Sequence, residues 1–289
     1  MPDWSSITRQ LEDAGLSVAE NVRPDPIAGG DISAAWRLRV PGGDVFLKTG
    51  RIESIDMFTA EAEGLAEIAS ARVLPVPAVH AVGQSADVAF LALEWLSFDQ
   101  PNASVERDFG KRLANMHRVT ADEFGWHRDN TIGLTPQINT RSGDWIAFFQ
   151  EHRLGYQLRL AADNGHTGEL QQQGDRLLKR LPSFFDDYDP VPSLLHGDLW
   201  GGNWASSGGE PVIFDPAVYF GDRETDLAMT KLFGGFGHGF YEAYESAWPL
   251  APGSRERLKV YQLYHVLNHL NLFGCSYLGR ALALTSALL

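Results

Sequence analysis

The chain is short of cysteine, of basic residues and of long hydrophobic segments. Its 289 residues include one cysteine, Cys275, which excludes an internal disulfide framework and is usual for a protein of the reducing cytoplasm. We expect Cys275 to be buried in the core, as free cysteines commonly are. There are 24 Lys and Arg against 37 Asp and Glu, and the net charge of −13 argues against non-specific binding to nucleic acid or to an anionic membrane.

Long apolar segments and familiar nucleotide-binding fingerprints are also missing. No apolar run approaches the roughly eighteen residues of a membrane helix, and residues 1–4 lack the basic and apolar regions of a signal peptide. Neither the Walker pattern nor the Rossmann fingerprint is present. The hydrophobic fraction of 44% is enough for a large core in one or two domains. We therefore expect a cytoplasmic protein, and nothing in the sequence indicates an oligomer.

The predicted helices and strands divide the chain into two lobes. Residues 1–96 form the smaller lobe, with a helix at Ser5–Ala14, strands at Ala34–Val40 and Val45–Lys48, a helix at Ile55–Ala69 and a strand at Val88–Trp95. Residues 97–289 are mostly helical, with helices at Val105–Arg118, Asp144–Ala162, Gly168–Leu181, around Asp226–Phe233, and from Glu256 to the end. The pattern predicts an α+β fold with a sheet-rich N-terminal lobe, a larger helical C-terminal lobe and a boundary near Ser97–Pro101.

The most informative stretch runs from His196 to Asn203 and is followed by Asp215. Asp198 and Asn203 are separated by four residues, which is the spacing of the catalytic-loop Asp and Asn in kinases. Phosphoryl transfer needs a carboxylate that orients the attacking hydroxyl and oxygen ligands for Mg²⁺. Residues 203–205 and 211–214 are predicted strands around a Ser-Ser-Gly-Gly turn, and this hairpin would bring Asn203 and Asp215 side by side. The stretch therefore predicts a kinase with Asn203 and Asp215 as metal ligands.

A strand lysine and a helix glutamate form the second part of the predicted site. Alternation along residues 45–48 places Lys48 on the same face as Phe46, although a lysine at a strand end is often only a solvated residue. In the next helix, Glu61 lies on an otherwise apolar stripe, whereas Glu63 and Glu67 point elsewhere. A carboxylate in that position destabilises the fold unless it is paired. We predict an ion pair between Lys48 and Glu61, of the kind that positions ATP phosphates in kinases.

Two weaker patterns concern the nucleotide. Gly29, Gly30 and Ser33 precede a strand, where backbone N–H groups can approach phosphate oxygens, but Gly-Gly pairs more often mark ordinary turns. The apolar strand that ends at residues 91–96 would be the hinge of a kinase-like chain, with adenine bound by the backbone at Glu94 and Leu96. A simple core strand explains the same residues.

Together these residues resemble the fructosamine kinase family, whose ketosamine and ribulosamine kinases are related to aminoglycoside phosphotransferases and choline kinases. The resemblance rests on Trp200, two residues after Asp198, and on the segment 215–229, which reads Asp-Pro-Ala-Val-Tyr-Phe-Gly-Asp-Arg-Glu-Thr-Asp-Leu-Ala-Met. It extends to the segments 130–137, 151–157 and 271–274 and covers the chain from about residue 7 to residue 279. It implies a bilobal protein-kinase-like fold with ATP and Mg²⁺ as cofactors.

The resemblance also implies roles for the matching residues. Asp198 would be the catalytic base, with Asn203 and Asp215 as Mg²⁺ ligands. Lys48 and Glu61 would be the phosphate-orienting pair, beneath the glycine loop that contains Gly29, Gly30 and Ser33.

Supporting and acceptor residues are implied in the same way. Asp226 would accept hydrogen bonds from the catalytic loop, although it also fits a helix N-terminal acid favoured by the dipole. His196 would hold the loop rather than perform acid–base chemistry. Trp200 would be a platform for a sugar or an amine, or would only pack the loop. Three further residues are candidates for the acceptor cleft: Gln137, Arg153 and Gln157.

The implied reaction is ATP-dependent phosphorylation of a sugar hydroxyl, typically the 3-hydroxyl, of a ketosamine that is free or attached to a protein lysine. The implied role is deglycation repair. The alternatives are a kinase of the same fold acting on an aminoglycoside, choline or a hexose, and a nucleotide-binding scaffold without catalysis. A third alternative is a metal-dependent hydrolase with His196 and Asp198 as metal ligands. It is disfavoured because two ligands are not enough and no further His-rich motif accompanies them. Some family members have a cysteine in the glycine loop that supports redox-linked dimers, and this chain has none there.

Overall fold

Five antiparallel strands form the N-terminal sheet of the structure, a computed structural model that describes residues 2–19, 22–27 and 33–289. In chain order they are β1 (Asp25–Ile27), β2 (Ala34–Leu38), β3 (Val45–Arg51), β4 (Val79–Ser85) and β5 (Val88–Glu94). Their order across the sheet is β1-β2-β3-β5-β4, so the lysine-bearing strand β3 lies in the middle. The predicted strands correspond to β2, β3 and β5.

Each face of this sheet is covered by one of the two N-terminal helices. Helix α1 (Trp4–Asp13) shares a core cluster with Val45 and Leu47 of β3. Helix α2 (Ile55–Ala71) shares a separate cluster with the opposite face, to which Phe46 belongs. The predicted alternation along β3 is therefore confirmed, because its odd and even residues pack against different helices.

The residues after the sheet form the larger, mostly helical part of a bilobal molecule. Its helices in chain order are α3 (Ala103–Met116), α4 (Trp145–Phe149), α5 (Gly155–Asp163), α6 (Glu169–Arg180), α7 (Glu224–Thr230), α8 (His238–Ala247), α9 (Ser254–Phe273) and α10 (Leu278–Ala287). The largest core cluster joins these helices and extends to Ile68 of α2. Among the described residues, no helix has the length and apolarity needed to span a membrane.

Two helices that were predicted as continuous are interrupted. The segment predicted as one helix at 144–162 consists of α4, a π-helical turn at Gln150–Leu154, and α5. The helix predicted from Glu256 to the end consists of α9 and α10, which are separated at Gly274. Gly274 has a φ of 86°, a value that glycine adopts without the steric cost that a side chain would bring.

The expectation that Cys275 is buried is wrong, because this residue is exposed. Cys275 follows Gly274 and begins the 3₁₀ turn Cys275–Tyr277 between α9 and α10. The side chain therefore lies at the surface, at the break between the two helices.

Within residues 33–289, three two-stranded sheets position the site. Strand β6 (Asn130–Ile132) pairs with β7 (Thr135–Gln137), β8 (Ser193–Leu195) with β11 (Tyr219–Gly221), and β9 (Trp204–Ser207) with β10 (Glu210–Ile213). The last pair is the predicted hairpin, and at its base the Phe214 N–H donates to the Asn203 carbonyl at 3.1 Å. The β8–β11 pair places the chain before His196 beside the chain that follows Asp215. The two segments predicted to carry the chemistry therefore meet.

Candidate active site

A cavity of about 650 Å³ lies between the sheet and the helical part. Its walls include seven of the predicted site residues: Ser33, Lys48, Glu61, Asp198, Trp200, Asn203 and Asp215. A larger groove of about 740 Å³, lined by residues such as Asp122, Trp145 and Tyr188, contains none of them. The cavity of about 650 Å³ is therefore the candidate active site.

Hydrogen bonds to Asp226 hold the start of the catalytic loop, residues 196–203. The backbone N–H groups of His196 and Gly197 donate to the two carboxylate oxygens of Asp226 at 2.8 and 2.9 Å. Burial alone would raise the pKa of Asp226, but the hydrogen bond from His117 and the neighbouring histidines lower it below its usual value. The predicted contacts between Asp226 and the loop are present, and they involve an ionised carboxylate.

Gly197 and His196 fix the backbone that leads into Asp198. Gly197 has a φ of 84°, and a Cβ atom there would lie 2.0 Å from the carbonyl oxygen of Ala217, so a side chain would displace the loop. The His196 Nε2–H donates to the Phe214 carbonyl at 2.9 Å, and Nδ1 accepts from the Asp198 N–H at 3.3 Å. Burial lowers the pKa of His196. A neutral ring with both nitrogens occupied agrees with the predicted supporting role.

The side-chain amide of Asn203 connects Asp198 to Asp215. Asn203 Nδ2 donates to the backbone carbonyl of Asp198 at 2.9 Å and to that of Asp215 at 3.5 Å. No described residue donates a hydrogen bond to Asn203 Oδ1, so this oxygen is available to a cation. Asp215 has a φ of 56°, a strained conformation for a residue other than glycine and one that concentrates at functional sites. The hairpin thus brings Asn203 and Asp215 together as predicted.

The carboxyl group of Asp198 is much less acidic than an ordinary aspartate. Burial is the largest cause, and the nearby carboxylates of Asp215 and Asp226 add to it, raising the pKa of Asp198 to about 7. Asn203 opposes the shift by donating to Asp198 Oδ2 at 3.4 Å. A carboxylate whose pKa lies near neutral pH can take up a proton during a reaction, which is the property of a general base.

Lys48 joins two carboxylates at the cavity wall. Its Nζ lies 2.7 Å from Glu61 Oε1 and 2.6 Å from Asp215 Oδ1. Burial alone would lower the pKa of Lys48, but the two carboxylates outweigh it and raise the pKa above its ordinary value. The contact with Glu61 is the predicted one. The contact with Asp215 was not predicted, because it depends on how the two lobes meet.

Aromatic side chains form part of the cavity wall. The Trp200 side chain is 41% exposed and lines the cavity. Its ring lies over Gly202, where a Cβ atom would be 2.3 Å from a ring carbon, so the glycine allows this ring position. Phe233 and Phe273, both partly exposed, also line the cavity with His269. Sequence reasoning missed these three residues, although the resemblance at 271–274 pointed to their neighbourhood.

Three of the predicted acceptor residues do not face the cavity. Gln137, Arg153 and Gln157 are each at most 2% exposed, and none of them lines its walls. Arg153 donates to the Ile138 carbonyl at 2.6 Å and to Asn139 Oδ1 at 2.6 Å. The prediction is wrong for these residues because they are buried, and most of their polar groups are bonded to other groups of the protein interior.

Two of these buried residues instead support the cavity wall from behind. Gln137 Nε2 donates to Asn130 Oδ1 at 2.8 Å, and Gln157 Nε2 donates to Asn268 Oδ1 at 3.1 Å. Asn130 and Asn268 both line the cavity. Asn130 begins the 130–137 segment that supported the family resemblance. The segment therefore does contribute a residue to the cavity wall, but that residue is Asn130 and not Gln137.

The residues predicted to bind the nucleotide are only partly placed at the cavity. Ser33 lines it, whereas Gly29 and Gly30 lie outside the described residues. Glu94 and Leu96 are absent from its described walls. The Glu94 N–H donates to the Ala78 carbonyl at 2.8 Å, and Glu94 Oε2 accepts from the Ala78 N–H at 3.1 Å. Adenine binding at Glu94 and Leu96 stays a prediction.

The donors at the cavity fit a magnesium–nucleotide complex. The Asp215 side chain is 45% exposed, and with Asn203 Oδ1 it offers the hard oxygen ligands that Mg²⁺ prefers. Lys48 supplies a positive charge next to Asp215, as phosphate binding requires. The residues that would hold the metal and the phosphates thus line the same cavity as Trp200.

Comparison with known proteins agrees with this arrangement. The family model described as fructosamine kinase matches residues 3–289. A probable ketoamine kinase of Synechocystis is 41% identical over 280 residues, covering 96% of this chain and 94% of the relative. The chloroplastic protein-ribulosamine 3-kinase of Arabidopsis thaliana is 40% identical over 262 residues, covering 89% and 80%.

Solved structures give the same result. A Haemophilus somnus 129PT protein named "Putative fructosamine-3-kinase" superposes with a TM-score of 0.91 at 29% identity, covering 99% of this chain and 97% of that protein. The aminoglycoside phosphotransferase APH(2'')-Ib, with a TM-score of 0.65 at 12% identity, covers 98% and 97% and shows the fold alone. The predicted bilobal kinase-like fold is confirmed, and the chain belongs to the fructosamine kinase family.

Proposed function

We propose that this chain is an ATP-dependent kinase that phosphorylates a sugar hydroxyl of ketosamines, at the 3-hydroxyl. The observation that carries the proposal is the convergence of Asp198, Asn203, Asp215, Lys48 and Glu61 on one cavity. The names of the related ketoamine and ribulosamine kinases support the substrate class. The aromatic wall around Trp200 supports it as well, because aromatic faces bind both sugar C–H surfaces and cations.

In the proposed mechanism, Asp198 orients the sugar hydroxyl and accepts its proton as the oxygen attacks. The raised pKa of about 7 makes this carboxylate a better proton acceptor than an ordinary aspartate. His196 and Asp226 keep the loop backbone fixed during the transfer. A fixed loop matters because phosphoryl transfer depends mainly on positioning and electrostatics.

Asn203 Oδ1 and the Asp215 carboxylate would hold Mg²⁺, and Lys48 would hold a phosphate of ATP. When bound, Mg²⁺ and ATP supply the phosphoryl group and the positive charge that neutralises the phosphates. Glu61 keeps the Lys48 ammonium at the cavity wall, at an Nζ to Oε1 distance of 2.7 Å. Phosphorylation of the 3-hydroxyl would destabilise the sugar–amine adduct, so the proposed biological role is deglycation repair.

The proposal is tested by measuring ADP release with Mg·ATP and a panel of acceptors: ribuloselysine, fructoselysine, kanamycin, choline and glucose. Asp198→Asn is the test variant, and Asp175→Asn, at an exposed aspartate of α6, is the matched control. We expect turnover with the ketosamines, a loss of about 10²–10⁴-fold in kcat for Asp198→Asn, and no change for Asp175→Asn.

Other outcomes of this assay would count against the proposal. Turnover with kanamycin, choline or glucose alone would overturn the substrate class. An Asp198→Asn variant that keeps more than about a tenth of the wild-type kcat would remove Asp198 from the role of base, because general-base effects are larger than this. Tight nucleotide binding without turnover on any acceptor would favour the scaffold alternative.

A further inference from the structure

Helix α2 is attached to the C-terminal part by three consecutive side chains, Trp126, His127 and Arg128, here called the 126–128 segment. The Trp126 Nε1–H donates to Glu67 Oε2 at 3.2 Å, and His127 Nε2 lies 2.9 Å from Glu63 Oε2. Arg128 Nη1 donates to Glu63 Oε1 at 2.9 Å, and its Nη2 contacts the carboxylate of Asp56, so the segment contacts three of the acids of α2: Asp56, Glu63 and Glu67.

The three acids share one face of α2, and this face differs from the one that presents Glu61. Asp56, Glu63 and Glu67 are spaced by seven and four residues, which places them along the same side of a helix. Between them is Gly64, where a Cβ atom would lie 3.1 Å from Val218 Cγ2. The side of α2 that faces the C-terminal part therefore combines close backbone packing with charged contacts.

The other end of this connection leads to the catalytic loop. Gly125 exchanges backbone hydrogen bonds with Phe220 at 2.9 and 2.8 Å. Phe220 belongs to β11, which pairs with β8 immediately before His196. Asn139 contacts both ends of the segment: its carbonyl accepts from the Trp126 backbone N–H at 3.0 Å, and Asn139 Nδ2 donates to the Arg128 carbonyl at 3.1 Å. The 126–128 segment is therefore held by the same small sheet that holds the loop.

A closed path of contacts results. It runs from the catalytic loop through β8 and β11 to the 126–128 segment, across to α2, and through Glu61 and Lys48 to Asp215, whose carbonyl accepts from Asn203 of the loop at 3.5 Å. Glu61 and Asp215 together hold Lys48 at the cavity, and Glu61 is carried by the same helix whose opposite acids pair with the 126–128 segment. Exposed ion pairs add little to global stability, so their effect here is on the placement of the helix.

We propose that the 126–128 segment, and Arg128 above all, is a positioning element that holds α2 so that Glu61 can present Lys48 to the nucleotide phosphates. Arg128 does not line the described walls of the cavity and acts through Glu61. The activity part of this inference rests on the proposed kinase function. The placement of α2 is a property of the protein without ligands and is measured separately.

The test compares Arg128→Ala with Arg128→Lys and with the control Arg159→Ala. Arg159 lies on α5 and donates to the carboxylate and to the carbonyl of Glu151, both at 2.9 Å. It does not line the described walls of the cavity, and its partner Glu151 is not part of α2. Three quantities are measured: hydrogen–deuterium exchange of the α2 amides without ligand, the Kd for ADP with Mg²⁺, and kcat with KM for ATP. A thermal melt of each variant shows that it is folded.

We expect Arg128→Ala to raise exchange in residues 55–71, with exchange in α9 unchanged. Since two surface ion pairs are lost, we expect ADP affinity and kcat/KM for ATP to fall by about three- to tenfold. Arg128→Lys should recover most of the loss, and Arg159→Ala should behave as wild type. If Arg128 acts through Glu61, Arg128→Ala will have no further effect on nucleotide affinity in a Glu61→Gln background.

Two results would overturn the inference. One is exchange in residues 55–71 that is the same for Arg128→Ala and Arg159→Ala. The other is an Arg128→Ala effect on nucleotide affinity that remains undiminished when Glu61 is already replaced. A wild-type protein that neither binds nor turns over nucleotide would contradict the proposed function instead, while the exchange experiment would still decide the placement of α2.

Discussion

At the scale of single residues, four acids near the cavity differ because their surroundings differ. Asp226 is ionised and holds backbone N–H groups, and its pKa lies below the usual value. Asp198, without a cation partner, has its pKa raised to about 7. Glu61 and Asp215 share the ammonium of Lys48. Burial, a nearby charge and hydrogen bonding thus assign a supporting, a proton-accepting and a cation-binding role to chemically similar side chains.

The raised pKa of Asp198 has a consequence for stability in metal-free buffer. In the unfolded chain this carboxyl group titrates at about 3.9, and in the folded protein at about 7, so between these values the folded state holds a proton that the unfolded state lacks. The free energy of unfolding of the wild type should therefore contain a favourable contribution at low pH that is lost as the pH rises to about 7. Asp198→Asn has no such proton and should not show this loss.

We therefore expect Asp198→Asn to be more stable than the wild type at pH 8 by about 1–3 kcal/mol. This is less than the full pKa shift would give, because the side chain of Asp198 retains some contact with solvent. The difference should shrink as the pH falls from about 7 towards 4. Urea unfolding with EDTA at several pH values measures it, with Asp175→Asn as control. A difference that stays constant across this range would show that Asp198 titrates normally.

At the scale of elements, helix packing controls the residues that hold the catalytic loop. Helix α3 approaches α8 so closely that a Cβ atom on Gly110 would lie 2.1 Å from the carbonyl oxygen of Phe240. His117, just after α3, lies 2.8 Å from the hydroxyl of Tyr244 in α8 and 3.1 Å from Asp226. The crossing of these two helices therefore sets the position of His117, which makes one of the hydrogen bonds to Asp226.

Gly110→Ala should force α3 and α8 apart, because the new methyl group meets backbone atoms that cannot rotate away. We expect the free energy of unfolding to fall by about 2–3 kcal/mol, as overpacking of a core does. Gly279→Ala in α10 is the matched control, because a Cβ atom there meets nothing within 4 Å. The control should be neutral or gain up to about 1 kcal/mol, since alanine favours a helix over glycine. Equal stability of the two variants would contradict the close approach of α3 and α8.

The elements that could be predicted from the sequence are those fixed by local chemistry. The apolar stripe of α2 marked Glu61 as an acid that needs a partner, and the turn residues of the 204–213 hairpin placed Asn203 beside Asp215. The acceptor assignments of Arg153 and Gln157 failed, because whether a polar residue faces a cavity or the core depends on distant segments. The π-helical turn at Gln150–Leu154 has no signal in the hydrophobic period. The same limit explains why the contact of Lys48 with Asp215 was missed.

At the scale of the whole molecule, the candidate site exists only where the two lobes meet. Lys48 and Glu61 come from the sheet and α2, whereas Asp198, Asn203 and Asp215 come from the helical part. A ligand that contacts both parts binds the folded chain and not the unfolded chain, so it stabilises the entire protein. Ligand binding can therefore be followed by global unfolding, without an acceptor and without turnover.

We expect ATP with Mg²⁺, at a concentration about one hundred times its Kd, to raise the free energy of unfolding by about 2.7 kcal/mol. With EDTA in place of Mg²⁺ the gain should be smaller, because the phosphates then lack a cation between them and Asp215. Asp215→Asn should abolish the difference between the two conditions. Asparagine is the suitable replacement because it tolerates the left-handed backbone at this position, where φ is 56°.

The comparison must be made within each variant. Replacing Asp215 also removes the 2.6 Å contact with Lys48, which by itself alters the unliganded protein and its affinity for ATP. The extra stabilisation that Mg²⁺ adds to that of ATP does not contain this effect, because the contact of Lys48 with residue 215 is missing both with Mg²⁺ and with EDTA. If Asp215→Asn keeps the wild-type increment, the metal is held by other groups, and Asp215 serves the site only through its contact with Lys48.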